Sequence, residues 1–99
     1  MSRYFLSPQA RVDLIEIHDY IAADSPRAAK RFIDTLREKC ELLARFPELG
    51  ERRDDLYPSL RCFSVHNYAI LYRSIEEGID IVRVVSGWRD IDALFRSDT

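Results

Sequence analysis

Two Ser-Pro pairs, Ser7-Pro8 and Ser25-Pro26, each head a run of helically spaced apolar residues. Together they leave the chain little choice of fold. A serine before the first turn can cap the free N–H groups there, and a proline in that turn gives up no hydrogen bond. At about 100° per residue, Ala10, Leu14, Ile17 and Ile21 fall on one stripe of the first run, with Arg11, Glu16 and Asp19 off it. In the second run Ala29, Phe32, Ile33, Leu36, Cys40 and Leu43 share a stripe, Arg31, Asp34, Glu38, Glu41 and Arg45 lie opposite, and Pro47 ends it. A helix of about twenty residues is roughly 30 Å long. With only Asp24 and Ser25 left between the runs, the two helices fold back as an antiparallel hairpin. Val12 and Ile15 lie off the first stripe, and a core beneath the hairpin does not explain them.

The rest of the chain reads as strand. Tyr4-Phe5-Leu6 is a short strand before the first helix. Residues 48–59, with Gly50, Pro58 and a charged run from Glu51 to Asp55, read as a solvated loop. Leu60–Val65 and Tyr68–Ser74 then flank a His66-Asn67 turn, and Ile79–Ser86 follows Glu76-Glu77-Gly78. Connections this short make an antiparallel meander. With the tightest turns, Phe63, Val65, Tyr68, Ile70, Tyr72, Val82 and Val84 share the face beneath the helices, with Arg61 at its edge. The other face carries Leu60, Cys62, Ala69, Leu71, Arg73, Ile81, Arg83 and Val85; a one-residue slip in either turn inverts part of this pattern. No further segment of the chain can cover that second face, since only Ile91–Thr99 remains. It is either an ordinary solvent face with a few aliphatics or a surface that binds a partner.

The expected fold is therefore α+β in one domain, residues 1–99. An N-terminal strand and a two-helix hairpin pack on an antiparallel sheet, and a short C-terminal helix follows. Ninety-nine residues support one core, burying roughly 60–70% of the unfolded surface. The opening residues carry no apolar run of signal-peptide length, and no stretch approaches the roughly 20 apolar residues of a membrane span, so the chain reads as cytoplasmic. Net charge is −2, which argues against a protein that holds nucleic acid by phosphate neutralisation. Basic residues are skewed to arginine, with Lys30 and Lys39 the only lysines. That skew is either a compositional bias or a means of bidentate recognition of carboxylates.

Few residues suggest chemistry. Glycines stand only at 50, 78 and 87, which leaves no phosphate-cradling loop. Cys40 and Cys62 lie on apolar segments without metal-ligand spacing and read as reduced core residues. His18 on a helix flank and His66 in a turn read as structural. No catalytic residue, metal or cofactor is expected.

Leu6-Ser7-Pro8-Gln9-Ala10, Phe46-Pro47-Glu48-Leu49-Gly50, Asn67-Tyr68-Ala69-Ile70-Leu71-Tyr72-Arg73 and Gly87-Trp88-Arg89-Asp90-Ile91 occur in this order along nearly the whole chain. In that order and spacing they resemble the ParE branch of the RelE/ParE toxin superfamily, the plasmid-stabilisation toxins. The resemblance implies the toxin of a type II toxin–antitoxin system, held in check by a co-encoded ParD-like antitoxin. The antitoxin would cover Val12 and Ile15 on the first helix and Leu71, Arg73, Ile81 and Arg83 on the sheet. Its acidic and apolar side chains would pair with the two arginines.

Two activities occur in the superfamily. RelE-like members cut mRNA in the ribosome with lysines on the first meander strand, an arginine after the tyrosine of the second, and an arginine and a tyrosine near the C-terminus. Those positions correspond here to Leu60, Cys62, Ala69, Arg89 and Phe95, of which only Arg89 keeps the family's residue type. A lone arginine does no acid–base work at neutral pH. ParE-type members instead stall DNA gyrase without bond-breaking chemistry of their own. The resemblance therefore favours gyrase inhibition by binding, with Trp88, Arg89 and Phe95 as the target-contacting residues and no sequence-specific DNA binding. For Trp88 the competing role is a core residue that closes the sheet, and for Arg89 a salt bridge to Asp90 or Asp92. Ribosome-dependent mRNA cleavage is the alternative activity, and an inactive toxin kept as an antitoxin-binding module is a third.

Overall fold

The computed structural model describes residues 3–87 and Ile91. Strand β1 (Arg3–Leu6) leads into helices α1 (Pro8–Ala22) and α2 (Pro26–Arg45), and a single 3-10 turn, Pro47–Leu49, follows. Strands β2 (Glu51–Arg52), β3 (Leu60–Val65), β4 (Tyr68–Ile75) and β5 (Gly78–Ser86) complete one sheet of order β1-β5-β4-β3-β2.

Both Ser-Pro pairs act as expected. The Ser7 hydroxyl accepts from the Ala10 N–H at 3.0 Å, and Ser25 does the same for Ala28 at 3.1 Å. Ser7 also donates to the Val82 carbonyl at 2.8 Å, so the cap of α1 is tied to β5. The helix connection is Ala23, Asp24 and Ser25, one residue longer than the sequence suggests.

The sheet departs from expectation in three ways. It is mixed rather than antiparallel, because β1 lies parallel to β5, from Arg3 opposite Gly78 to Leu6 opposite Ile81. The helical hairpin is long enough to serve as the crossover that a parallel pair requires. Gly78 admits this neighbour: at φ 151° a Cβ there would stand 1.8 Å from the Arg3 carbonyl oxygen. Second, the charged loop contributes β2, whose Glu51 and Arg52 pair with Cys62 and Arg61. The loop is also internally tied by Arg52–Asp54 and Arg53–Asp55 ion pairs at 2.8 and 3.0 Å. Third, Leu71 faces Arg83 while Tyr72 faces Ile81, so Val82 is a bulge. Beyond the bulge Val84 and Val85 keep the expected faces, but Ile81 moves to the helix side and Val82 to the far side. Arg83, expected on the far face, reaches Asp13 of α1 because no strand lies beside this end of β5. A tight Glu76-Glu77 turn fixes the first half of the pairing, and the extra residue restores the second.

Each side of the sheet has its own core. Beneath the helices Ala10, Ile17, Leu36, Cys40, Leu43 and Ala44 meet Val65, Ile70, Tyr72, Ile79, Ile81 and Val84. On the far side Leu60, Cys62, Ala69, Leu71 and Val85 are buried with Ile91, against Leu56 and Val82. The expectation that nothing in the chain covers the far face is therefore corrected. Leu56 reaches it from the 48–59 loop, and Ile91 is fully buried there. The expected C-terminal helix otherwise lies outside the described residues.

Candidate partner-binding surfaces

Helix α1 presents the first surface. Val12 and Ile15 are 43% and 61% exposed, as their position off the core stripe requires, and Tyr20 is 78% exposed. The opposite side of the helix is anchored by a residue that the sequence reading passed over. Asp13, 5% exposed, accepts from Arg83 Nε at 2.8 Å, from Arg83 Nη2 at 3.0 Å and from the Val84 backbone N–H at 3.0 Å. Strand β1 ends opposite Ile81, so the next stretch of β5 has a helix carboxylate beside it instead of a strand. The Asp13 hydrogen bonds hold the Arg83 guanidinium still more firmly in its charged form. A signal was present in the sequence. Asp13 lies three residues after Ala10 and four before Ile17, on the apolar stripe, where an acid needs a buried partner.

Arg83 thus has an acceptor within its own chain. For Arg73, among the described residues nothing accepts from its Nε, which is buried. Its guanidinium carbon lies 5.6 Å from the centroid of the Tyr57 ring. Arg73, Tyr57, Leu60, Asp80 and Val82 line a cleft of about 190 Å³ on the far side of the sheet.

The residues expected to meet an antitoxin therefore occupy separate places. Val12 and Ile15 are on the outside of α1, and Arg83 is in the α1–β5 contact. Leu71 is fully buried in the far core, Ile81 in the helix-side core, and Arg73 lines the cleft. Trp88, Arg89 and Phe95 lie outside the described residues. Gly87 marks the exit towards them, at φ 75° with its N–H on the Asn67 carbonyl at 2.9 Å. That left-handed conformation suits glycine.

The Phe46–Gly50 segment is locked from below. The Tyr72 hydroxyl donates to the Pro47 carbonyl at 2.5 Å and accepts from the Gly50 N–H at 2.8 Å, and Arg61 Nη1 donates to the Gly50 carbonyl at 2.7 Å. A Cβ at Gly50 would stand 2.2 Å from the Tyr72 oxygen. Phe46 and Leu49 remain half exposed on this rigid turn.

Groups suited to chemistry are dispersed. Burial pushes the Cys40 thiol up to about 12 and the Cys62 thiol up to about 11, so neither is a ready thiolate at neutral pH. His66, at φ 55° as its turn position requires, has its ring 5.7 Å from Phe32, and His18 contacts Asp19 on the surface. Among the described residues no cluster of three His, Cys, Asp or Glu could hold a metal, and no helix is long and apolar enough to cross a membrane. Leu60, Cys62 and Ala69, which stand where a RelE-type nuclease carries two lysines and an arginine, are all buried in the far core.

Comparisons with known proteins agree on the kind of molecule. The family model for the ParE toxin of the type II toxin–antitoxin system parDE matches residues 4–91. The chain is 34% identical over 83 residues to Toxin RelE3 of Caulobacter vibrioides, covering 80% of this chain and 87% of that one. It is 33% identical over 96 residues to Toxin ParE1 of Mycobacterium tuberculosis, covering 92% and 95%. Among solved structures, a chain of the chromosomal ParDE system from P. aeruginosa superposes with a TM-score of 0.73 at 21% identity, covering 88% of this chain and 97% of that one. That likeness speaks for the fold.

Proposed function

The chain belongs to the ParE toxin family of type II toxin–antitoxin systems, and from that premise we propose that it inhibits DNA gyrase, or a related type II topoisomerase, by binding and without chemistry of its own. A ParD-like antitoxin neutralises it, and both act in the cytoplasm. The observation that carries the non-catalytic reading is the burial of Leu60, Cys62 and Ala69. An RNA 2′-hydroxyl could not reach those positions, and none of the three side chains supplies the base or the charge that cleavage needs. The net charge of −2 also suits a protein target better than the ribosome. The segment after Gly87, with Trp88, Arg89 and Phe95, contacts the target, since Trp and Arg are the side chains most enriched at binding hot spots. Val12 and Ile15 on α1 and Arg73 on β4 meet the antitoxin.

The test is purified protein added to gyrase and relaxed plasmid. Loss of supercoiling or accumulation of cleaved complexes is expected, with relief by Trp88→Ala or Arg89→Ala variants that stay folded. A second reading, ribosome-dependent mRNA cleavage, is favoured by the similarity to a relative named RelE3. Primer extension on cellular mRNA after induction separates the two. Cleavage sites in mRNA, with gyrase unaffected, would replace the first reading by the second.

A further inference from the structure

The cleft on the far side of the sheet holds two charged side chains that do not satisfy each other. Arg73 on β4 and Asp80 on β5 stand directly opposite in register. Opposite charges placed so usually pair across the strands. Here no ion pair links them, because the Arg73 guanidinium lies against the Tyr57 ring instead. Among the described residues its buried Nε–H has no acceptor and the Asp80 carboxylate no donor. Both side chains are partly buried, and both line the same cleft with Leu60 and Val82. Among the described residues, other arginines of the sheet and its loop close on an aspartate: Arg83 on Asp13, Arg52 on Asp54, Arg53 on Asp55.

We propose that this cleft takes a side-chain carboxamide, an Asn or Gln of the antitoxin, between Arg73 and Asp80. The inference rests on the antitoxin reading above and names what that surface recognises. A carboxylate would satisfy Arg73 but set a second negative charge beside Asp80. A lysine or arginine would satisfy Asp80 but repel Arg73. A carboxamide is neutral and offers an acceptor oxygen together with two N–H donors. It answers both unpartnered groups at once, while Leu60, Val82 and the Tyr57 ring line the cleft around its aliphatic stem.

The experiment uses the toxin purified with its co-encoded antitoxin. Affinities are measured for Arg73→Gln and Asp80→Asn in the toxin and for Ala at each Asn, Gln, Asp and Glu of the antitoxin's toxin-binding segment. The expected result is a loss of at least fivefold for each toxin variant, with unchanged thermal midpoints. One Asn or Gln of the antitoxin should show a matching loss that does not add to that of Arg73→Gln. A loss below fivefold at either toxin position overturns the proposal. So does coupling of Arg73 to an antitoxin Asp or Glu. If the wild-type proteins form no complex, the antitoxin reading falls and this inference with it; a tight complex indifferent to Arg73 and Asp80 removes the inference alone.

Discussion

The two sides of the sheet are built from similar materials and finished differently. Each has a buried aliphatic core and one buried cysteine, Cys40 beneath the helices and Cys62 on the far side. The contrast lies in two arginines, Arg83 on β5 and Arg73 on β4. Arg83 is drawn to α1, where Asp13 takes two of its N–H groups and a β5 backbone N–H as well. Arg73 has an aromatic ring beside it and, among the described residues, no acceptor for its Nε. One side is therefore closed electrostatically by its own chain, whereas the other leaves a donor and an acceptor unspent among the described residues. A buried polar group without a partner is destabilising, so a protein that keeps one gains from a ligand that supplies it.

The largest effect should come from breaking the closed side. Asp13→Ala leaves the Arg83 guanidinium without its carboxylate and orphans the Val84 N–H. Removing one partner of a buried pair costs about 3–5 kcal/mol, and the partial exposure of Arg83 places the expectation at the lower end of that range. For a small domain whose total stability is about 5–15 kcal/mol, urea denaturation should show a variant close to unfolding. A loss under about 1 kcal/mol would mean that the α1–β5 contact is held by apolar packing alone. Tyr72→Phe comes next. It removes the hydroxyl that joins the Pro47 carbonyl and the Gly50 N–H, for about 1–3 kcal/mol. Thermal denaturation measures that loss, and faster amide exchange at Gly50 localises it.

The two buried thiols, one on each side of the sheet, sharpen the comparison through pH. Burial raises both above the 9.0 of an exposed cysteine, Cys40 to about 12 and Cys62 to about 11. Their contribution is fully present below pH 9 and is lost as the pH rises towards the folded values, since the unfolded chain ionises first. Denaturant midpoints should fall between pH 9 and pH 11, and less steeply in a Cys40→Ala, Cys62→Ala double variant. Thiol labelling at pH 8 should be slow for both, since each is almost fully buried.

What could be read from the sequence follows from which interactions are local. Helix starts, the hairpin, the meander and the exposure of Val12 and Ile15 all depend on neighbours within a few residues, and they came out as expected. The parallel β1–β5 pairing depends on residues far apart along the chain, although Gly78, with no side chain to block β1, was a visible trace of it. Val82 was misplaced because a bulge is one extra residue, and period-two alternation carries no mark of where it falls. At the candidate site Arg73 was legible as a cation on a sparsely covered face. The pairing of Arg83 was not, because it needed Asp13 to be seen as an acid in a core position. The far core needed Leu56 and Ile91, single apolar residues in segments read as a solvated loop and a short C-terminal helix.

The smallest effect is the most telling. Arg73→Met keeps the length and apolar stem of the side chain and deletes a guanidinium whose Nε–H has no acceptor among the described residues. Stability should change by no more than about 0.5 kcal/mol, in either direction, because the lost stacking on Tyr57 is offset by release of a desolvated donor. The same change in the antitoxin complex should weaken binding at least fivefold. Near-neutrality in the free protein combined with a loss in the complex would assign Arg73 to recognition. Destabilisation of the free toxin as large as that of Asp13→Ala would make the two sides equivalent and dissolve the contrast between Arg83 and Arg73.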